Sequence, residues 1–243
     1  MLANNKGQPK KQLSIMLGLM SARVYGQYCG FARALEAVGE RWALLIVRDL
    51  LVSPKRFTDL HSGLPGIPTN VLTSRLKELE EAGIVRRRVL PRPERAVVYE
   101  LSEYGSELEE SVVALGRWGA RSLGNPRPSE VLTAQSLVTA LRSTFRSEAA
   151  RDIRVGYELR CGPIVLHARI GDGAVQVAEG ALPDADLFIE TDPSLRELMA
   201  GEISPADAIK RGSVVIRGDK RLFKRFVEIF HIDPMPQSIA VPR

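Results

Sequence analysis

Five short polar or basic side chains recur at helical spacing in the second quarter of the chain. They are Thr69, Asn70, Thr73, Ser74 and Lys77. Leucines at positions 72, 76 and 79 take the opposite side of the same helical wheel, which predicts a buried stripe beneath a polar face. No carboxylate occurs on this stretch before Glu78, and small donors and acceptors suit the edges of DNA bases. The five residues are therefore candidates for contact with a DNA groove, and Arg75 on the flank is a candidate for phosphate contact.

The next stretch supplies basic residues that could hold a phosphate backbone. After Gly83 come two β-rich runs around a Pro-Arg-Pro-Glu-Arg tip, which predicts a hairpin. The hairpin carries Arg86, Arg87, Arg88, Arg92 and Arg95. We expect Arg92 and Arg95, at the tip, to contact the backbone or the minor groove. The alternative is an amphipathic helix pair with a solvated arginine run, since helix-turn-helix patterns also occur in plain bundles.

The elements that would position these residues follow the order of a winged helix. Helices are predicted over 31–39 and 42–52, followed by a short helix, a Pro-Gly turn and the second helix, which ends at Gly83. A short strand at 56–57, with Thr58 as the N-cap, would precede the short helix. A long helix is predicted over 103–123. Its apolar stripe suggests a dimer interface, although the stripe could instead, or in addition, pack back on the N-terminal helices.

Several motifs in this region occur in the order typical of one group of bacterial regulators. Cys29 is followed by ARALEAVGERWALLIVRDLL, KRFTDL, LPGIPTNVLTSRLKELEEAGIV and VVYELSEYG. This text, from about residue 28 to residue 123, resembles the HxlR family of transcription regulators, which are relatives of the MarR winged helices. The resemblance implies a homodimer, with one recognition helix per subunit, that binds double-stranded DNA at palindromic promoter sites.

Cys29 is the one candidate for a reactive group. It precedes the first predicted helix, whose N-terminus could lower the pKa of a thiol. The resemblance implies a cysteine here, and some family members sense electrophiles or oxidants through it. The simpler interpretation is that Cys29 is a small buried hydrophobic residue.

Length and charge bound the remaining possibilities. The 243 residues suit two domains, and the net charge is +5. Residues 20–124 carry 15 basic and 13 acidic residues, whereas residues 125–243 carry 16 of each, so DNA binding must rest on local patches, chiefly the hairpin. Two cysteines and no apolar run of about 20 residues favour a protein of the reducing cytoplasm without a membrane span. Residues 1–19 are interpreted as a disordered tail, and Met20 as a possible true start.

The second half has the pattern of a separate α+β domain. A Pro-rich linker at 125–128 divides residues 20–124 from residues 129–243, and a helix is predicted over 129–149. Three runs from residue 152 onward predict an antiparallel meander, and DLFIET and SVVIRG add a fourth and a fifth strand. The run over 185–230 resembles the sterol carrier protein type-2 fold, which implies an apolar tunnel for a lipid-like molecule. The alternative is that its apolar strand faces only build a core.

The residue types of catalytic and metal sites are scattered. The three histidines lie far apart in the chain, and neither metal-ligand spacing nor a catalytic constellation occurs. We therefore expect no metal, no cofactor and no enzymatic activity. The predicted protein is a cytoplasmic, homodimeric DNA-binding regulator. Its mainly α winged helix is followed by an α+β domain with an antiparallel or mixed five-stranded sheet. The α+β domain is expected to bind an apolar small-molecule effector or to support assembly. The alternatives are a lipid-binding protein whose winged helix binds another protein, and an enzyme with a distributed site.

Overall fold

The computed structural model describes residues 24–192 and 195–236, so the predicted tail over 1–19 and the question of a start at Met20 lie outside the described residues. The first half contains α1 (Gly30–Val38), α2 (Ala43–Val52), α3 (Phe57–Gly63) and α4 (Thr69–Glu81). A hairpin of β1 (Val85–Val89) and β2 (Val97–Leu101) follows, and then α5 (Glu103–Ser106) and α6 (Glu109–Ala120). This order is that of a winged helix, as predicted.

One apolar core holds these elements together. The predicted leucine stripe of α4 is buried, with each side chain 1% exposed or less. It packs with Ile46 and Val47 of α2 and with Val112 of α6. After α4, Gly83 takes a φ of +72°, a left-handed conformation that glycine adopts without strain, and the chain turns into β1. The opposite face of α4 is consequently left to solvent.

The hairpin is extended by a short pairing at the start of α3. Lys55 forms an isolated β-bridge with Tyr99, whereas the strand predicted at 56–57 does not form, because α3 already begins at Phe57. Arg56, and not Thr58 as predicted, is the residue that precedes α3. The reason is that the Asp59 carboxylate accepts a hydrogen bond from the backbone amide of Arg56, at 3.0 Å, which fixes the first turn of α3 two residues earlier.

The single helix predicted over 103–123 is divided into α5 and α6. The Ser102 hydroxyl accepts a hydrogen bond from the Gly105 amide and donates one to the Gly83 carbonyl, which holds α5 against the start of β1. Gly105 also approaches the backbone closely, since a Cβ there would overlap the Ile84 carbonyl oxygen. A turn at 107–108 then redirects the chain into α6.

The second half begins with α7 (Ala134–Thr144) and a 3₁₀ turn (Glu148–Ala150). The helix predicted over 129–149 is therefore shorter than expected, because Thr133 caps α7 and Phe145 leaves it in an extended conformation to bridge Phe230. The predicted linker over 125–128 lies within an irregular stretch over 121–133. The remaining elements are β3 (Val155–Cys161), β4 (Ile164–Gly171), β5 (Ala174–Glu179), β6 (Leu187–Thr191), α8 (Leu195–Met199), α9 (Pro205–Arg211), β7 (Val214–Gly218) and α10 (Lys220–Ile229).

The five strands form one mixed sheet in the order β5-β4-β3-β6-β7. The predicted antiparallel meander of β3, β4 and β5 is confirmed, whereas β6 pairs parallel with β3 and β7 pairs antiparallel with β6. The core between sheet and helices contains Tyr157, Phe223, Phe226 and Phe230, each 1% exposed or less. The predicted α+β domain with a five-stranded sheet is thus confirmed, and its likeness to the sterol carrier fold stays a prediction.

α7 joins the two halves. It packs against α2 and α6 on one side and against β4 and β5 on the other. Gly116 of α6 permits the close approach, because a Cβ there would lie 2.5 Å from the Ser143 hydroxyl of α7. The Arg142 guanidinium donates to the Leu51 carbonyl of α2 and to the Val177 carbonyl of β5, both at 3.2 Å. Among the described residues, no helix is long and apolar enough to cross a membrane.

Candidate nucleic-acid interface

The front of α4 presents polar groups to solvent. The predicted contact residues Thr69, Asn70, Thr73, Ser74 and Lys77 are all exposed. The Thr73 hydroxyl donates to the Thr69 carbonyl at 2.9 Å, and Thr69 Oγ1 lies 3.3 Å from Nε2 of His61 on α3. Within the described chain, the Asn70 side chain makes no hydrogen bond. Its amide can therefore offer a donor and an acceptor together, which is the pattern that reads adenine.

His61 of α3 lies beside the front of α4. Its ring stacks on Phe57 at 6.5 Å between centroids, and its Nε2 reaches the hydroxyl of Thr69. The contact between His61 and Thr69 was not predicted from the sequence. The one available signal was the i, i+4 spacing of Phe57 and His61, which places both rings on one side of α3. The contact joins α3 to the first residue of α4.

Farther along α4, the side chains of Ser74 and Lys77 pair with carboxylates of the same helix. The Ser74 hydroxyl donates to Glu78 Oε1 at 2.8 Å, and Lys77 Nζ lies 3.6 Å from Glu81 Oε1. Both pairs are solvent-exposed and therefore weak, so an external phosphate or base can compete for these two side chains. The front of α4 is consequently more available for contact than its back.

Arg75, the predicted candidate for phosphate contact, is ion-paired within the protein, and its contact with phosphate stays a prediction. Its side chain is only 19% exposed, and its guanidinium pairs with Glu40 at 3.2 Å and with Glu78. The reason is tertiary, because the turn between α1 and α2 lies against the flank of α4 that a helical wheel leaves open. Arg75 therefore ties α4 to this turn, and its Nε is buried without a hydrogen-bond partner.

A hollow of about 310 Å³ opens between this turn and the front of α4. It is lined by Arg41, Trp42, Gly66, Pro68, Val71 and Arg75. The Arg41 guanidinium lies 5.3 Å from the Trp42 ring and forms no ion pair among the described residues. Trp42 is half-buried, packs against the core and adopts a φ of +81°. The hollow thus adds an unpaired cation beside the predicted groove face, which sequence reasoning missed.

Three of the five hairpin arginines are ion-paired. Arg86 and Arg88 donate to the two oxygens of Glu100, at 3.0 and 2.7 Å, and Arg87 donates to Glu80 of α4 at 2.7 Å. The hydrogen bond from Arg88 is the main reason that the pKa of the Glu100 carboxyl lies below its usual range. These ion pairs link β1 to β2 and to the end of α4, and they neutralise three of the five positive charges that the hairpin carries in the sequence.

The tip of the hairpin keeps its charge. Arg92 and Arg95 are exposed, and neither guanidinium has an ion pair or a hydrogen bond within the described residues. Both lie between β1 and β2 at the far end of the hairpin, as predicted. The free positive charge of the hairpin is therefore concentrated at these two positions.

Cys29 is exposed, so its interpretation as a small buried residue was wrong. It stands at the N-cap of α1, and the nearby backbone amides of Ala32 and Phe31 lower the pKa of its thiol. The buried residues of α1 are Ala32 and Val38, whereas Gly30 and Phe31, which follow Cys29 directly, are exposed. Cys161 is buried in β3, and burial raises the pKa of its thiol. The two cysteines thus differ in exposure and in the direction in which the pKa of the thiol is shifted.

A buried carboxylate lies where α2 meets α3 and α7. Asp49 is fully buried, and burial raises the pKa of its carboxyl although Arg48 pairs with it at 2.6 Å. Its second oxygen has no partner, and a Cβ at Gly63 would lie 3.1 Å from that oxygen. Nearby, the Gln135 amide of α7 donates to Glu179 of β5 at 2.5 Å. Polar groups of both halves therefore meet at this junction.

Residues 37–126 match the sequence profile of a family described as HxlR-like helix-turn-helix. The chain is 41% identical over 109 residues to an uncharacterized HTH-type transcriptional regulator, Rv3095, of Mycobacterium tuberculosis, which covers 45% of this chain and 66% of that protein. It is 35% identical over 88 residues to a similarly named regulator, YvaP, of Bacillus subtilis, covering 36% of this chain and 82% of that one. The chain thus spans slightly less than two thirds of the mycobacterial relative.

Solved structures give a similar result. The reduced form of the transcriptional regulator YodB from Bacillus subtilis is 33% identical, and the match covers 42% of this chain and all of that one, with a TM-score of 0.36. The redox regulator HypR in its oxidized form is 31% identical over 40% of this chain and 99% of that chain, with a TM-score of 0.37. Both TM-scores lie below 0.5, so these two structures carry no argument about the fold of this chain. Residues 127–243 lie outside the family match.

Proposed function

The chain belongs to the HxlR-like helix-turn-helix family, and on that premise we propose that it is a DNA-binding transcriptional regulator, homodimeric on a palindromic operator. One observation carries the proposal. α4 buries its leucine stripe and turns an exposed polar face outward, beside a hairpin whose tip holds two arginines that have no ion pair among the described residues. Base-reading groups and phosphate-holding groups thus lie on neighbouring elements, which is the arrangement that groove binding requires.

We assign the base contacts to the front of α4. Asn70 has a free amide for a bidentate contact, and Thr69 and Thr73 lie on either side of it on the same face. Ser74 and Lys77 also contact the DNA once it displaces their exposed carboxylate partners, Glu78 and Glu81. Arg75 acts indirectly, because its ion pair with Glu40 fixes how far α4 projects from the α1–α2 turn.

We assign the phosphate contacts to the hairpin tip. Arg92 and Arg95 are the two hairpin arginines without a carboxylate partner among the described residues, so contact with phosphate breaks no internal pair. The paired arginines of β1 instead shape the hairpin and fix it to α4. In a dimer whose recognition helices lie about 34 Å apart, each tip would contact the backbone beside its own half-site.

An exposed apolar surface on α6 supports the dimer. Trp118 is 72% exposed and Leu115 is 50% exposed, whereas Val112 on the same helix is buried in the core. α6 therefore packs on its own domain through one side and presents large apolar groups on another. Tyr28 and Phe31, just before and within α1, are exposed as well. Apolar groups of this size on a monomer surface are typical of an interface with a second subunit.

We further propose that the second half regulates DNA binding through an apolar small molecule held in a sterol-carrier-like domain. α7 is the physical link, because Arg142 bonds to carbonyls of α2 and β5 and pairs with Glu109 of α6. A ligand that displaces α7 from the sheet would thus disturb the support of the winged helix. Such a ligand must bind the two states with different affinity. The aromatic side chains beneath the sheet would have to separate to admit it.

A salt-dependent titration tests the DNA-binding function. The full chain is titrated against a duplex from upstream of its own gene and against a scrambled duplex of equal length and composition. Preferential binding with a steep salt slope supports a regulator, since counterion release and base readout are then both present. Absence of binding at low salt would refute the proposal and favour a lipid-binding protein whose winged helix binds another protein.

A further inference from the structure

The charges of the second half are segregated along the chain. Residues 125–243 carry 16 basic and 16 acidic residues, which gives no net charge. Residues 210–225, however, carry seven basic residues and one acidic residue, a net charge of +6. Residues 125–209 carry eight basic and thirteen acidic residues, a net charge of −5. The balance over the whole half therefore conceals a strongly basic segment.

Ion pairing sharpens this segregation. The eight arginines from Arg127 to Arg196, together with Arg221 and Arg225, each form an ion pair. Five basic residues of the described second half have neither an ion pair nor a side-chain hydrogen bond among the described residues. They are Lys210, Arg211, Arg217, Lys220 and Lys224, and all five are exposed. Every unpaired basic side chain of that region thus falls within 15 residues of chain.

The fold gathers these five residues at one end of the sheet. Lys210 and Arg211 end α9, Arg217 lies on β7, and Lys220 and Lys224 lie on α10. α9 packs against both β7 and α10, and β7 is the outermost strand of the sheet. We call this set of five residues the basic edge. It lies opposite β5, the strand that packs against α7.

Stabilisation of the helices by the helix dipole explains the positions of only some residues of the basic edge. Lys210 and Arg211 stand in the last turn of α9, where positive charge interacts favourably with the helix dipole. Lys220 has the opposite placement, since it begins α10 at the positive end of that dipole, and no acid occurs in the first turn. The Asp219 carboxylate pairs with Arg221 and leaves Lys220 and Lys224 uncompensated. Glu190 lines a small hollow with Arg217 but forms no ion pair with it among the described residues.

We propose that the basic edge binds the sugar-phosphate backbone of the same DNA duplex, outside the half-site that α4 reads. This inference rests on the proposed DNA-binding function and extends it to the second half. Four strand spacings of about 4.8 Å put β7 roughly 19 Å from β5, the strand that packs against α7, and we therefore assign the contact to DNA that flanks the half-site. Lysines and arginines directed at phosphate add affinity without sequence information. The second half is thereby a clamp on the duplex as well as a regulatory domain.

The test compares two triple variants of the full chain that remove equal charge. The first is Arg217→Gln, Lys220→Gln and Lys224→Gln. The control is Arg127→Gln, Arg154→Gln and Arg169→Gln, which removes three exposed but ion-paired arginines of the same half. Binding is measured by fluorescence anisotropy between about 0.05 and about 0.5 M salt, a range over which counterion release changes affinity strongly, on a long duplex and on one cut to the core site. Thermal unfolding followed by circular dichroism verifies that each variant is folded.

The proposal predicts weaker binding only for the first variant and only on the long duplex. The salt slope on the long duplex should fall by about 2.7 per subunit, at about 0.9 for each phosphate that is no longer neutralised. The control should keep the slope of the unchanged protein, and replacement of the same three residues by the other basic residue (Arg217→Lys, Lys220→Arg, Lys224→Arg) should restore it. On the core duplex the two triple variants should bind alike.

Three outcomes would overturn the inference, and they are distinguishable. An unchanged slope in the first variant, with Arg95→Ala still weakening binding, would remove the basic edge from the interface and leave the proposed function intact. Absence of DNA binding by the unchanged protein would remove both. Loss of binding to phosphatidylglycerol vesicles in the first variant, with DNA binding unchanged, would assign the basic edge to an anionic lipid surface instead.

Discussion

Replacement of Arg95 by alanine should weaken DNA binding strongly at low salt and slightly at high salt. Arg95 has no internal partner in the described chain, so the substitution removes a phosphate contact without breaking an ion pair. A homodimer carries two wing tips, so the substitution leaves two phosphates without their arginine. At about 0.9 for each phosphate, the slope of log K against log salt should fall by about 1.8. Taken from equal binding of the two proteins at about 1 M salt, this slope change lowers the affinity of the variant about 60-fold at ~0.1 M salt and about 3- to 4-fold at ~0.5 M salt.

Anisotropy titrations on one duplex at several salt concentrations measure both quantities. Arg154→Ala serves as the matched control, because it removes the same charge from an arginine whose guanidinium already bonds both oxygens of Asp172. Arg95→Lys should restore most of the slope, since a lysine also neutralises phosphate. The reasoning is refuted if Arg95→Ala keeps the slope of the unchanged protein, or if the control weakens binding as much as Arg95→Ala does.

Four further predictions concern other parts of the molecule. Asn70→Ala should cost about 1–3 kcal/mol of discrimination between operator and scrambled DNA while sparing the salt slope, and equal discrimination in a competition assay would exclude a base contact. Trp118→Arg should yield a monomer by light scattering after size-exclusion chromatography; a persistent dimer would place the interface elsewhere. A mild oxidant should weaken DNA binding, Cys29→Ser should abolish that response and Cys161→Ser should retain it, whereas an unchanged response in Cys29→Ser would end the sensing hypothesis. Burial raises the folded-state pKa of the Asp49 carboxyl above its unfolded value of about 3.9, so the ionised carboxylate destabilises the fold. This destabilisation is absent below the unfolded pKa and is complete above the folded pKa. The free energy of unfolding should therefore fall, relative to Asp49→Asn, as pH rises from about 4, and a difference constant with pH in urea titrations would contradict this.

The local patterns of the sequence determined most of the elements. The leucine stripe of α4, the order of helices and hairpin, and the meander of β3 to β5 all follow from periodicities of about 3.6 and about 2, because burial of one face imposes its period on the chain. The hairpin tip was also evident, since Pro-Arg-Pro-Glu-Arg cannot continue a strand. The ends of the helices were predicted less accurately. The single helix predicted over 103–123 is divided into α5 and α6, because Ser102 and Gly105 contact Gly83 and Ile84, which lie far from them in the sequence.

Only the tertiary structure decided which charges remain available. Arg75 and Arg87 look as free in the sequence as Arg95, but they meet Glu40 and Glu80, which come from other elements. The parallel insertion of β6 beside β3 likewise depends on a crossover that no local period encodes. The basic edge has both origins, because residues 210–225 are already strongly basic in the sequence, whereas the ion pairs of Arg221 and Arg225 decide which of their charges remain available. Ion pairs depend on distance in space, and the sequence determines distance only along the chain.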